Sequence, residues 1–336
     1  MKKALQYILP AALSVILIWS LFRKVDFRQT MEIASHGVDF WWILAAMGIS
    51  VFSHIFRAMR WRLQLNALNV GNTLMELTCS IFGCYALNLV FPRLGEIWRC
   101  TFVARRSEAP FTTVMGSMVA DRMADMLMVL ALTLLTFVAA APALTSFMAR
   151  YPVGKDILNL LYSPWLWTCL AAAIAAGWWI LRKYSDTRII QRLRGWISEI
   201  WKGFSVVVTM PGKWKFLLLT FAVWGCYFVQ LYVAFYAFGF TRALCHEPGL
   251  AFGLLPCLVA FVLSSIGMAV PSNGGLGPWN IAVMFGLAIY GVADVEGAAF
   301  SILQWSGQTV MLIALGIFTT VWIAATSSRH NKTTKA

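Results

Sequence analysis

The run NLVFPRLGEIWR, residues 88–99, sets Arg93, Glu96 and Arg99 between two apolar stretches. A second cluster, VADRMAD at 119–125, buries Asp121, Arg122 and Asp125 in the middle of another apolar segment. An unpaired charge near the centre of a bilayer costs about 2.5–3.5 kcal/mol even on a lenient insertion scale. Three of them on one helix therefore require partners or water. Asp121 and Asp125 share a helical face, and Arg122 lies within side-chain reach of Asp125. Asp121 still needs a partner, and Arg93 and Arg99 are the natural donors, because a planar guanidinium matches carboxylate and phosphate alike. Two roles fit: an ion-pair network that clips a broken helix to its neighbour, or a polar cavity for a headgroup. The six formal charges cancel. The expectation is thus a balanced network, suited to zwitterionic or cationic heads or able to re-pair during a conformational change, with Asp121 and Asp125 as candidate proton carriers.

A second interruption, VPSNGGLGP at 270–278, carries Asn273, Gly274, Gly275 and Gly277. Its backbone amides could face an anion, and a hinge is an equal reading. Asn280, Gln304, Gln308, Tyr227 and Gln230 are polar residues in apolar surroundings, where interhelical hydrogen bonds are the common role. Both interruptions follow one plan: an apolar run, a proline, a tight polar turn with glycine, then another apolar run. Proline removes a helical donor and glycine tolerates unusual dihedrals. Irregular backbone survives at membrane depth only where protein or a water-filled cavity covers it. Two broken segments at corresponding places in two halves point to a transporter site. Asn88, Pro92, Arg93, Gly95, Glu96 and Arg99 would then form one lip of a polar cavity enclosed by two loops that dip in from opposite faces.

The elements that must hold these residues are membrane spans. The chain has 336 residues, of which 60% are hydrophobic and 12% charged, and its mean hydropathy is +0.72. Windows long enough to cross a bilayer occur at Leu5–Phe22, Trp41–Phe56, Val114–Ala140, Trp165–Leu181, Phe216–Phe240 and Phe300–Ala325. The expected fold is an all-α polytopic membrane protein with about six full spans and two broken or re-entrant hairpins, arranged as an inverted repeat. Residues 1–325 read as one transmembrane domain, with an amphipathic connector at about 184–213 and a polar, disordered tail at 326–336. Lys2 and Lys3 precede an apolar run without a small-x-small cleavage site, so the first span reads as uncleaved.

The net charge is +13, and the basic residues gather at the ends of the apolar windows: Arg57, Arg60 and Arg62, then Arg105 and Arg106, then 182–215, then the tail. This is the positive-inside pattern, with attraction to anionic lipid headgroups at the cytoplasmic face, and it sets nucleic acid aside as a partner. It puts both termini in the cytoplasm. The seven cysteines form no CxxC pair and the four histidines are scattered. No metal, disulfide or cofactor is expected.

RAMRW (57–61), NLVFPRLGEIWR (88–99), DRMAD (121–125) and PSNGGLG (271–277) together resemble the lysylphosphatidylglycerol synthase transmembrane-region family. That family includes the flippase half of the bacterial multiple peptide resistance factor and stand-alone proteins. The most specific part is the Asn–x3–Pro–x–Arg–x–Gly–Glu–x2–Arg spacing formed by Asn88, Pro92, Arg93, Gly95, Glu96 and Arg99. Family members usually show Glu-Arg-x-x-Asp where this chain has Asp121, Arg122 and Asp125, and often a glutamate where Asn280 stands. The resemblance implies a bacterial inner-membrane protein that moves a phospholipid or prenyl-linked lipid between leaflets. The aminoacyl-transferring soluble domain of the fused members and any nucleotide-binding motif are missing from the sequence, so a transporter rather than an enzyme is expected. The alternatives are an intramembrane enzyme acting on a lipid-linked phosphate or sugar, and a scaffold for a separate lipid-modifying enzyme.

Overall fold

The computed structural model describes residues 32–33, 37–91, 93–150, 163–165, 168, 171–172, 209–270 and 272–333. The expected first span, most of Trp165–Leu181, nearly all of the amphipathic connector, and Pro92 lie outside the described residues. Within them every regular element is helical, and five stretches are long and apolar enough to cross a bilayer. The chain is an all-α polytopic membrane protein.

Three long helices form one wall. They are α1 (Phe40–Ala67), α4 (Phe111–Ala139) and α6 (Lys213–Phe235), with the short α5 (Ala141–Arg150) following α4. Asp39 caps α1 by accepting from the Trp41 N–H at 3.3 Å, which satisfies one of the free donors of the first turn. α1 and α6 run antiparallel. The Asp39 N–H donates to the Ala237 carbonyl at one end, Arg57 meets Tyr227 in the middle, and Arg60 meets Thr220 one turn further on. The outward stripe of α4 (Leu127, Leu130, Leu134, Val138) and that of α10 (Asp294–Thr333; Val310, Ile313, Ile317, Val321) are exposed. These apolar rows at helical spacing suit acyl chains.

Two helical hairpins fill the space beside that wall. The first is α2 (Leu74–Val90) and α3 (Leu94–Arg106); the second is α8 (Leu254–Gly267) and α9 (Pro278–Ala288), reached through α7 (Gly239–Leu244). At 1.5 Å per residue these four helices are about 25, 20, 21 and 17 Å long. All fall short of the roughly 30 Å hydrocarbon core. Residues 248–267 look like one span by composition. However, Ala251, Phe252 and Gly253 have φ of 50°, 55° and 81°, and this left-handed stretch ends any continuous helix before Leu254. The segment 250–293 is therefore a hairpin and not two full spans.

α10 shows how the hairpins are stacked. Gly297 lies against Met284, Asn280 bonds the Ser301 carbonyl, and Trp305 bonds the Gly274 carbonyl. Further along, Gly316 touches Ala86 and Thr319 donates to the Cys79 carbonyl at 3.2 Å. One rod thus follows the second hairpin from stem to tip and then the first from tip to stem. The hairpins enter from opposite faces and meet inside. α10 is helical through Thr333, past the Thr326 boundary expected for a disordered tail, since no proline or glycine follows to stop it.

Candidate functional site

The first hairpin turns where the sequence breaks. Asn88, in the last turn of α2, accepts from the Gly95 N–H at 2.9 Å and so covers a donor at the start of α3 that has no helical partner. Gly95 is there because the helices nearly touch: a Cβ would stand 2.0 Å from the Cys84 carbonyl oxygen. Arg93 takes the turn with φ 63°. At the mouth of the hairpin, Thr73 and Glu76 form a capping box on α2, and Glu76 accepts from Arg106 at 2.9 Å.

The tip of the second hairpin is made of glycines with positive φ: Gly274 at 58°, Gly275 at 82° and Gly277 at 92°. Asn280 is fully buried and committed to structure. Its Oδ1 accepts from the Gly277 N–H at 3.1 Å and its Nδ2 donates to the Ser301 carbonyl at 3.0 Å. The two tips touch. Arg93 donates to the Ala269 carbonyl at 3.0 Å, Asn273 reaches the Val90 carbonyl at 3.5 Å, and a Cβ on Gly274 would lie 2.6 Å from Leu89.

Beside the first hairpin lies the charged cluster. Asp125 is at the midpoint of α4 and Asp121 one turn away, and both face α1. Arg57 Nη1 lies 2.7 Å from Asp125 and 3.3 Å from Asp121. Arg60 Nη2 lies 2.7 Å from Asp121 and 2.9 Å from Asp125. The spacings match: two arginines three residues apart meet two aspartates four residues apart, each a turn of helix. α6 adds neutral partners, with Tyr227 accepting from Arg57 at 3.2 Å, Thr220 accepting from Arg60 at 3.2 Å, and the Trp224 indole donating to Asp125 at 3.3 Å. Arg60, Asp121 and Arg99 are 0% exposed. Losing one partner of such a buried network leaves an uncompensated charge, at a cost of about 3–5 kcal/mol.

α3 supplies the rest. Glu96 accepts from Arg122 at 2.6 Å, and both are partly exposed. One turn deeper, Arg99 lies 4.6 Å from the Trp61 ring, whose indole is held by Ser117 at 3.0 Å. Arg99 Nη2 is 4.0 Å from Asp121, too far for a hydrogen bond, and none of its three guanidinium nitrogens has a hydrogen-bond partner.

The structure brings Glu96, Arg99, Asp121, Arg122 and Asp125 together and corrects their pairing. The expected donor Arg93 is exposed and engaged at the tip. Asp121 is met instead by Arg57 and Arg60, which the sequence suggested were topological markers at a span end. They are 2% and 0% exposed, because α1 continues eleven residues past the expected end of its window, to Ala67. The charge balance changes with them: four guanidinium groups now face three carboxylates, so the cluster carries one net positive charge. Asp121 is fully buried, whereas Arg93, expected beside it, is exposed at the tip. A groove of about 450 Å³ lies at the α3–α4 turn, lined by Thr101, Arg105, Glu108 and Phe111. Asn88, Gly95, Gly274, Gly275, Gly277 and Asn280 build and brace the tips, and Asn273 joins them.

No curated protein and no solved structure matches the chain. The family model described as the lysylphosphatidylglycerol synthase TM region matches residues 7–316, a range that takes in both hairpins and every residue of the charged cluster. The chain therefore belongs to the lysylphosphatidylglycerol synthase transmembrane-region family.

Proposed function

We propose that this protein is a lipid transporter of the flippase type, passing a polar headgroup through the charged cluster while the acyl or prenyl chains stay in the bilayer. The observation that carries the reading is an arginine–carboxylate cluster at mid-membrane, set beside two half-depth hairpins that meet tip to tip. Charges at that depth are costly and mark substrate or ion pathways, and half-depth hairpins are a recurring transporter device. Among the described residues the tips meet through two side chain–carbonyl bonds and the packing of Leu89 on Gly274. Glu96 and Arg122, the partly exposed members, form the lip that a headgroup meets first. An inner-membrane location with cytoplasmic termini goes with this reading, on the strength of the basic residues around 182–215 and beyond Thr326.

The driving force is a lipid gradient, an ion gradient or the membrane potential, since the sequence contains no P-loop. Asp121 and Asp125 each lie within ion-pair distance of both Arg57 and Arg60. Purified protein in liposomes with a fluorescent lipid tests the proposal. Leaflet exchange above protein-free vesicles, reduced at least severalfold by Glu96→Gln, supports it. No exchange, or exchange indifferent to Glu96→Gln, removes the cluster from the mechanism. Chemical change of the lipid without movement favours the intramembrane enzyme.

A further inference from the structure

The transported lipid's class can be narrowed from Arg99, an inference that rests on the transporter reading. A buried guanidinium normally finds carboxylates or carbonyls, because an unpaired buried charge is among the most expensive features a fold can carry. Arg57 and Arg60 obey that rule. Arg99 does not: it is 0% exposed, none of its nitrogens has a hydrogen-bond partner among the described residues, and it rests on the Trp61 ring with a carboxylate at 4.0 Å. Asp121 lies closer to Arg57 and Arg60, at 3.3 and 2.7 Å, than to Arg99 at 4.0 Å. Meanwhile the cluster holds one more positive than negative charge. Both facts favour an anion beside this planar, five-donor cation. A phosphate offers the matching fork of oxygens.

We propose that the site takes a lipid whose headgroup is an anionic phosphate with no compensating positive charge, held by Arg99 with Arg122 at the lip. Arg122 lies one turn of α3 away through its bond to Glu96, so the phosphate is handed from a partly exposed arginine to a buried one. A cationic aminoacyl head would raise the local charge to two positives and is disfavoured.

The test is binding in detergent micelles, separate from leaflet exchange. Intrinsic tryptophan fluorescence is titrated with dihexanoyl phosphatidate, dihexanoyl phosphatidylglycerol, dihexanoyl phosphatidylcholine, a lysylated phosphatidylglycerol and inorganic phosphate. The expected result is saturable binding of the two anionic lipids, at least about tenfold tighter than the zwitterionic and cationic ones, and a loss of about tenfold or more in Arg99→Gln. Because Arg99 is a buried charge that makes no hydrogen bond, Arg99→Gln should melt at or above the wild-type temperature, and Arg99→Lys should recover part of the affinity. A lower melting temperature for Arg99→Gln would reveal a structural partner and overturn the assignment. So would equal binding of phosphatidylcholine or the lysylated lipid, or wild-type binding by Arg99→Gln. Saturation by inorganic phosphate with no response to the lipids assigns the site to a free anion. Selective lipid binding without any leaflet exchange keeps the headgroup assignment and rejects the transporter.

Discussion

The two hairpins share a shape and almost nothing else. Each is a pair of helices too short to cross the bilayer, joined by a turn that breaks the helix and pressed against α10. The first carries Glu76, Arg93, Glu96, Arg99, Arg105 and Arg106, whereas residues 248–293, which contain the second, have no charged side chain. The first hairpin is joined to α4 by an ion pair; the second sits in an aromatic and aliphatic core around Phe235, Phe261 and Phe300. Phe235 and Phe300 meet edge to face at 5.4 Å. On the proposed transporter reading, recognition is concentrated on one hairpin, and the other works as its buttress. An inverted pair of this kind needs only one chemically specific member, provided the second gives the tip something to close against.

Four measurements put that division of labour at risk. The largest effect should come from the cluster beside the first hairpin: Arg60→Met strands Asp121 and Asp125 with reduced compensation. It should cost about 3–5 kcal/mol, read as a fall in thermal stability in detergent. Next are the close helix contacts. Gly95→Ala places a methyl 2.0 Å from a backbone oxygen and Gly286→Ala places one 2.6 Å from the Ala260 Cα. Each should lose about 1–3 kcal/mol from overpacking, with Gly95 at the upper end because backbone cannot rotate away. The tip asparagines come third. Asn88→Ala and Asn280→Ala should each cost about 1–2 kcal/mol, with Asn280 the more damaging since it is fully buried and both its bonds are to backbone. If Asn280→Ala slows leaflet exchange more than Glu96→Gln does, at equal folded protein, the assignment of roles is reversed. Smallest is Glu76→Gln, which weakens a partly exposed pair with Arg106 and should change stability by less than about 1 kcal/mol.

The hairpins were legible because helix breakers stood between apolar runs, and proline with glycine has few other meanings at that depth. The charges of α3 and α4 were legible for the same reason: a bilayer makes each one conspicuous. Arg57 and Arg60 were not. They follow an apolar window and look like topological markers until the helix is seen to run on to Ala67. The available signal was spacing, since two arginines a turn apart answer Asp121 and Asp125. Asn280 misled in the opposite direction. A polar residue after a glycine turn suggests a ligand, but pattern alone cannot reveal that both ends of its amide are already bonded. Arg99's lack of a hydrogen bond has no sequence signature at all, because it depends on Arg57 and Arg60 lying closer to Asp121.

The stacking of two half-depth hairpins along α10 has a mechanical corollary. Both hairpins are fastened to one continuous helix, so a change in bilayer thickness is met by tilting of that rod with both hairpins aboard. The Arg93–Ala269 and Asn273–Val90 contacts are thereby insulated from acyl-chain length.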